Sequence, residues 1–317
     1  MEIIGFVKEG NFYKGNLHSH TINSDGKLTP LESKELYKSE GYDFISFTDH
    51  DVYTDYSNEL NDEDFIIIPG VEASALLLKE GLDRPLKVHH FLGLLKSTTS
   101  LKHMEKLNVP VYYDSWDGLS VAQELNDFLV SKGLLTVYNH PSWSRVTQQE
   151  YIGLNNINGI EIYNFGTEIE SGTGFDISGY DAACRSGKYL NCFATDDNHN
   201  HLLEDSCGGW ICVKANALTC ESIMEAIEAG SFYSSSGPVI YDWGIKDGVV
   251  YIETSDAHMV HFISGDLVNY GKTELAGYNI TDVNNHWQFK LDPLAKYVRC
   301  EVVDIYGRKA WTNIIAL

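Results

Sequence analysis

His18-Ser19-His20 ends a short apolar run, and Asp25 follows in Ser24-Asp25-Gly26. The pattern repeats down the chain. Phe44-Ile45-Ser46-Phe47 leads into Thr48-Asp49-His50-Asp51, and Phe65-Ile66-Ile67-Ile68 into Pro69-Gly70-Val71-Glu72. Val88 leads into His89-His90, Leu134 to Tyr138 into Asn139-His140-Pro141, and Leu190-Asn191-Cys192-Phe193 into Thr195-Asp196-Asp197-Asn198-His199. Short runs rich in β-branched and aromatic residues read as buried strands. In a βα-barrel the C-terminal ends of different strands converge on one mouth, so side chains far apart in sequence become neighbours. Imidazole with carboxylate suits Zn, Fe(II) or Mn, and suits Ca poorly. One His at a strand end is ordinary, but so many strand ends carrying imidazoles and carboxylates predict a metal centre.

Helical segments alternate with these runs. Thr29-Pro30-Leu31-Glu32 combines an N-cap, a proline at the first helical position and a capping-box Glu. Ser120-Val121-Ala122-Gln123 opens a second helix, with Val121, Leu125, Phe128 and Leu129 on one face and Gly133 as its stop. Asp176 to Gly187 and Thr219 to Gly230 read the same way. A further strand, Gly159-Ile160-Glu161-Ile162-Tyr163-Asn164, brings the strand count to about seven. Residues 80–87, 97–117 and 168–176 read as loops over the barrel.

The character changes near Gly237-Pro238, where short alternating strands with tight turns take over. Asp247-Gly248 between apolar runs is a hairpin signal. No helix is expected beyond Gly230. The expected fold class is thus α/β: a distorted (β/α)7 barrel over residues 1–236, followed by a small all-β, sandwich-like module over 237–317.

The 317 residues are enough for a large core and two domains. No apolar stretch approaches the roughly 20 residues of a transmembrane helix, and Met1-Glu2-Ile3-Ile4-Gly5-Phe6 lacks the features of a signal peptide. A cytoplasmic location and no membrane partner are expected. Cys184, Cys192, Cys207, Cys212, Cys220 and Cys300 form no CxxC pair and read as small core residues in a reduced compartment. The net charge of −22 disfavours a broad nucleic-acid or anionic-membrane surface. A small anionic substrate remains compatible, because metal ions would concentrate positive charge in the mouth. The oligomeric state is not legible.

The motifs His18-x-His20 with Ser24-Asp25-Gly26, Thr48-Asp49-His50-Asp51, Pro69-Gly70-Val71-Glu72, His90-Phe91-Leu92-Gly93, Asn139-His140-Pro141 and Asp197-x-His199 span residues 12–200. Together they resemble those of the PHP (polymerase and histidinol phosphatase) superfamily of metal-dependent phosphoesterases. The resemblance implies the distorted (β/α)7 barrel, with a di- or trinuclear site at its mouth. The C-terminal module, with Tyr233-Ser234-Ser235-Ser236-Gly237-Pro238 before it, is similar to one found in some stand-alone bacterial members. By the resemblance, His18, His20, Asp25, His50, Glu72, His90, His140, Asp197 and His199 are metal ligands. It implies that Glu72 bridges two ions and that His18, His20 and Asp197 complete one site. His90 and His140 would complete a second, and Asp25, His50 and His199 a third. His90 is preferred to His89 because Phe91-Leu92-Gly93-Leu94 matches the family's register, and because successive strand residues face opposite sides.

The chemistry expected from two or three divalent ions (Zn, Fe or Mn) is hydrolysis. A water bridging two ions becomes a hydroxide nucleophile, and the ions offset charge on the phosphoryl oxygens, so Glu72 counts as catalytic too. His201, Asp196 and Asp51 are candidates for the general acid, with His201 carried forward. Arg145, then Arg185, are candidates to hold phosphate from a loop, against the more usual role of a solvated surface Arg. The expected enzyme is a phosphoric ester hydrolase acting on a small phosphorylated metabolite: a nucleotide, a sugar phosphate or an amino-acid-derived phosphate. The rivals are a hydrolase of non-phosphate esters or amides and a non-catalytic metal-containing binding protein. DNA exonuclease activity, known for PHP domains attached to polymerases, is not expected of so short and acidic a chain.

His89, His103, His258, His261 and His286 are expected to have no metal role. Asp49 and Asp51 divide evenly between orienting ligands and turn chemistry. Glu161 and Asn164 face the same mouth, with a structural role slightly favoured. Trp116, Trp143, Phe165 and Tyr163 read as packing under loops before base or sugar stacking.

Overall fold

The computed structural model describes residues 2–201, 204–265, 267–268 and 270–317. Seven strands follow the apolar runs of the sequence: β1 (Asn11–Asn16), β2 (Phe44–Phe47), β3 (Ile66–Leu78), β4 (Lys87–Leu95), β5 (Leu134–Tyr138), β6 (Gly159–Asn164) and β7 (Asn191–Thr195). They lie side by side in the order β7-β6-β5-β4-β3-β2-β1. Just past the last strands the arc meets itself: Asp197 N donates to His18 O at 2.9 Å and His20 N to Asn198 O at 3.0 Å.

The strand directions depart from the expected barrel. β1, β2 and β3 are mutually parallel, as are β5, β6 and β7, but β4 runs against both its neighbours. Residues 79–86, which join β3 to β4, are too few for the crossover of about a dozen residues that parallel pairing needs. The fold is therefore a mixed α/β one. β3 also runs through Pro69-Gly70 to Leu78 instead of stopping at Glu72. Glu72 thus sits mid-strand, and His90 lies in the first half of β4, opposite Ser74.

Helices cover the outside. Pro30–Ser39 opens on a complete capping box, with Glu32 N bonded to Thr29 Oγ1 and Thr29 N to Glu32 Oε2. Gly118–Ser131 begins two residues before the expected Ser120; Val121, Leu125 and Leu129 are buried while Phe128 is exposed. Phe165–Ser171 is a helix where a loop was expected, capped by the Asn164 side chain accepting from Thr167 N at 2.9 Å. Ile177–Arg185 and Cys220–Glu228 fall where expected.

Beyond β1 the same sheet continues through β8 (Trp210–Ala215) and β9 (Phe232–Ser235) into the C-terminal strands Lys309–Thr312, Tyr297–Val303, Met259–Ser264 and Gly271–Leu275. A second, antiparallel sheet of Ile240–Lys246, Val249–Ala257 and Asn284–Lys290 takes Glu2–Ile4 at its edge, a strand not read from the sequence. Trp243, Ile245, Val250, Ile252 and Trp287 from this sheet pack against Val260, Phe262, Val298 and Val302 of the large one. Asp247 (φ 51°) and Gly248 (φ 77°) form the expected two-residue turn, whose left-handed backbone suits this dipeptide. Among the described residues no helix follows Glu228. Across the join, buried Arg299 on Tyr297–Val303 donates to Asp181 Oδ1 on Ile177–Arg185 at 2.7 Å.

Candidate metal centre

The strand ends bring six imidazoles and three carboxylates together around Glu72. Its side chain is fully buried, and its two oxygens face different partners. Oε1 lies 3.0 Å from His90 Nδ1, 3.1 Å from His140 Nε2 and 3.2 Å from His18 Nε2. Oε2 lies 2.9 Å from His50 Nδ1 and 3.4 Å from His20 Nε2. Asp197 Oδ1 sits 3.0 Å from His20 Nε2 and 3.2 Å from His18 Nε2. Farther out, Asp25 approaches His199 Nε2 at 3.5 Å and His50 Nε2 at 3.7 Å.

All nine residues expected from the sequence therefore converge. They fall into overlapping groups: His18, His20, Glu72 and Asp197; His50, Glu72 and His90; and His20, Asp25, His50 and His199. His140 forms a further group with His18 and Glu161. His90 faces this centre, whereas His89 points to the opposite face of β4, 2.6 Å from the Tyr138 hydroxyl and stacked on Trp116. His103 is engaged elsewhere, accepting from Asp55 N.

The charges explain one another. Burial alone would lower the pKa of His18, but Asp197, Glu72 and Glu161 outweigh it and raise it well above the usual value. His50 is pushed up to about 9, the Glu72 and Asp25 carboxylates overcoming burial, and His140 is raised against burial by its bond to Glu72. Burial and the neighbouring His50 and His199 rings push His20 down to about 3, and burial lowers His90. Glu72, Asp197 and Asp25 are held below the usual carboxylate range by the imidazoles, against the effect of burial.

A divalent ion fits these donors. His18 Nε2, His20 Nδ1 and Glu72 Oε2 are buried polar atoms without a hydrogen bond. Such orphans carry a desolvation cost unless a cation engages them. Spacings of 3.0–3.4 Å between facing atoms resemble the ~3.4 Å expected of two ligand atoms each about 2.1 Å from one tetrahedral ion.

A supporting layer holds the donors. Glu161, buried in β6, accepts from His140 N at 2.9 Å, Thr195 Oγ1 at 2.7 Å and Asn164 Nδ2 at 3.0 Å, and lies 2.7 Å from His18 Nδ1. Nε2 of His18 is thereby left facing the centre. Ser144 Oγ lies 3.1 Å from His140 Nδ1, and Asn139 Nδ2 donates to Glu72 Oε1 at 2.8 Å. Asp49 accepts from Thr21 N and Ser24 Oγ, both at 2.8 Å, fixing the loop that carries Asp25. The structural role slightly favoured for Glu161 is thus one of support: a carboxylate between Ile160 and Ile162 in a buried strand needs hydrogen-bond partners, and these are donors of the centre and its surroundings.

Beside the centre lies a cavity of about 440 Å³ lined by Asp25, His50, His90, Asp197 and His199, with Trp143, Ile169, Glu170, His201 and Glu204 among its walls. Of the three general-acid candidates only His201 lines it. Asp196 faces away, accepting from Tyr37 Oη and from the backbone of Cys207, Gly208 and Gly209, and burial pushes its carboxyl up to about 6 despite these bonds. Asp51 accepts from Ser74 N at 2.7 Å and steadies β3. Arg145 is exposed on the turn after His140, in a left-handed conformation (φ 61°), and neither it nor Arg185 lines the cavity. Of the four aromatics weighed for stacking, only Trp143 reaches it.

Among solved structures the chain is similar to a two-domain protein from Bacteroides vulgatus that contains a predicted PHP-like metal-dependent phosphoesterase. The two share 14% identity over 98% of this chain and 97% of that one, with a TM-score of 0.50. The chain has a PHP-like fold. Lower similarity is found to the lesion-specific endonuclease Q of Pyrococcus furiosus (15% identity, 69% of this chain and 56% of that one, TM-score 0.42). An amidohydrolase from Chromobacterium violaceum scores alike (16% identity, 69% and 96%, TM-score 0.42). No family model and no curated protein matches the chain. No helix of the described residues is long and apolar enough to cross a membrane. In this PHP-like fold the nine candidate side chains lie just past the ends of β1, β2, β5 and β7, within β3, and in the first half of β4.

Proposed function

We propose that the protein is a metal-dependent phosphoesterase that hydrolyses a small phosphorylated metabolite. The observation that carries this reading is the Glu72 carboxylate, whose two oxygens serve two sets of imidazoles beside an open cavity. In this reading His18, His20, Asp25, His50, Glu72, His90, His140, Asp197 and His199 hold two or three divalent ions, with Zn, Fe and Mn suited to such mixed donors. When bound, the ions would supply an acidic water and positive charge to offset the phosphoryl oxygens. The chain's own contribution is placement. Glu161 and Ser144 fix the rings of His18 and His140, Glu72 spans the two halves of the centre, and His201 stands at the cavity wall where a leaving alkoxide would need a proton.

We further read the seven-strand arc, closed beside His18 and Asp197, as a distorted barrel. Residues 1–236 form the hydrolase unit in this reading, and 237–317 a β-module fastened to it. The test is phosphate release from a broad panel of phosphomonoesters. The protein would be chelated and reloaded with Mn, Fe(II) or Zn, with His20→Ala as background. Metal-dependent release absent from that variant is expected. No release from protein shown to hold its ions would replace this reading with hydrolysis of a carboxylic ester or amide.

A further inference from the structure

Above the imidazoles the cavity wall is acidic. Glu170, on the helix Phe165–Ser171, and Glu204, in the loop after His199, both line it, and both are exposed. Asp205 lines it too, but its oxygens accept from the backbone of His199 and Asn200 and serve the loop. Trp143 Nε1 donates to Glu170 Oε2 at 2.7 Å, which fixes the indole as part of the wall near Ile169. Among the described residues lining the cavity there is no Lys and no Arg. The chain as a whole carries −22, so its net charge has the same sign as this wall.

Cations at the floor would match one phosphoryl group. A second anionic group on the same substrate would meet Glu170 and Glu204 with no Lys or Arg in the wall to receive it. Like charges brought together in a concave site are a means of rejecting a competitor, and they act without improving the fit of the preferred ligand. A neutral alcohol part escapes this repulsion and can lie against the indole of Trp143. A cationic one gains from both the indole and the carboxylates.

We propose that the cavity selects phosphomonoesters whose alcohol part carries no anionic group, and that Glu170 and Glu204 are the groups that turn away a second phosphate or a carboxylate. The proposal rests on the phosphoesterase reading above. It goes beyond it by excluding bisphosphates and phosphorylated acids.

The test uses matched pairs on the metal-loaded protein: glycerol phosphate against phosphoglycerate, and a nucleoside monophosphate against its bisphosphate. In each pair the less anionic member is expected to be favoured in kcat/KM on the order of tenfold. The variants E170Q and E204Q keep the size of the side chains, and E170Q keeps an acceptor oxygen for Trp143. Each is expected to narrow the ratio, and the double variant most of all. Added salt should narrow it too, since both glutamates are exposed. Equal or better turnover of the more anionic member, or a ratio unmoved in the double variant, would overturn the proposal. If no compound releases phosphate, the phosphoesterase reading falls separately. Calorimetric affinities of the same four compounds for the metal-loaded protein then decide the charge selection, with equal affinities counting against it.

Discussion

The Glu161 carboxylate lies 2.7 Å from Nδ1 of His18, so the imidazole turns Nε2 toward Glu72 and Asp197. The same carboxylate receives the backbone N–H of His140, so one buried side chain sets the position of donors from two strand ends. Removing its charge while keeping its shape should weaken the centre without dismantling it. Glu161→Gln is expected to lower metal affinity about 10–100-fold, the usual range for a partner that orients a ligand. Competition with a chromogenic chelator measures this, and an unchanged affinity would show that His18 is oriented by other contacts.

Glu72 is different in kind, because both its oxygens face imidazoles. Glu72→Ala is expected to lose bound metal and activity together, read by elemental analysis and phosphate release on one preparation. A metal-replete, fully active variant would refute the bridging role.

The metal-free protein should show a distinctive pH response. His18, His50 and His140 are held protonated by their carboxylate neighbours, His50 up to about 9. These folded values lie above the unfolded value of about 6.5. Their contribution to stability is therefore complete below about pH 6.5 and is lost as pH rises through the folded values, about 9 for His50. Glu72, Asp25 and Asp197 act in the opposite sense: their depressed folded values give a contribution present above the unfolded pKa of about 4 and lost as pH falls through the folded ones. The Tm of chelated protein is expected to fall between about pH 6.5 and about pH 9. Apparent metal affinity should climb over that interval, because ligation needs neutral imidazole. A flat Tm together with a flat affinity would contradict the charge assignment.

Asp196 carries the loop beneath the site. Asp196→Ala removes the acceptor of three backbone N–H groups, that of Gly209 buried and those of Cys207 and Gly208 half-buried, and leaves Tyr37 Oη only Asn198 Oδ1 at 2.8 Å. A loss of about 3–5 kcal/mol in unfolding free energy is expected, with a smaller loss for Asp196→Asn, which retains one acceptor oxygen. Denaturant titration decides it, and a loss below about 1 kcal/mol would mean that residues 205–209 are anchored elsewhere.

Arg145 stands outside the cavity. Arg145→Ala is accordingly expected to leave KM for a phosphomonoester unchanged, and a several-fold rise in KM would return the residue to the phosphate site.

The sequence alone was enough to mark the side chains that converge around Glu72, since imidazoles and carboxylates at the ends of so many buried runs have no packing reason to be there. It also supplied the positions of most helices, because the capping box at Thr29 and Glu32 and the hairpin at Asp247-Gly248 are local chemistry. Where it erred, the missing information was non-local. The direction of β4 depends on how little chain joins it to β3, and the run through Pro69 on the pairing of Phe47 with Pro69 and of Gly70 with Leu94. The strand Glu2–Ile4 exists only because Gly244 to Lys246, far away in sequence, offers an edge.

What the sequence by itself marked is nine side chains that meet around Glu72 and the order in which the strands deliver them. Only the tertiary structure decided their grouping, the division of Glu72 between two sets of rings, the part played by Glu161, and the placing of Arg145 outside and Glu170 inside the cavity. The reason is physical. Residue type and periodicity follow from contacts along the chain, whereas the charge a side chain meets is set by elements that fold brings beside it from tens or hundreds of residues away, as His18 meets Glu161 and Asp197.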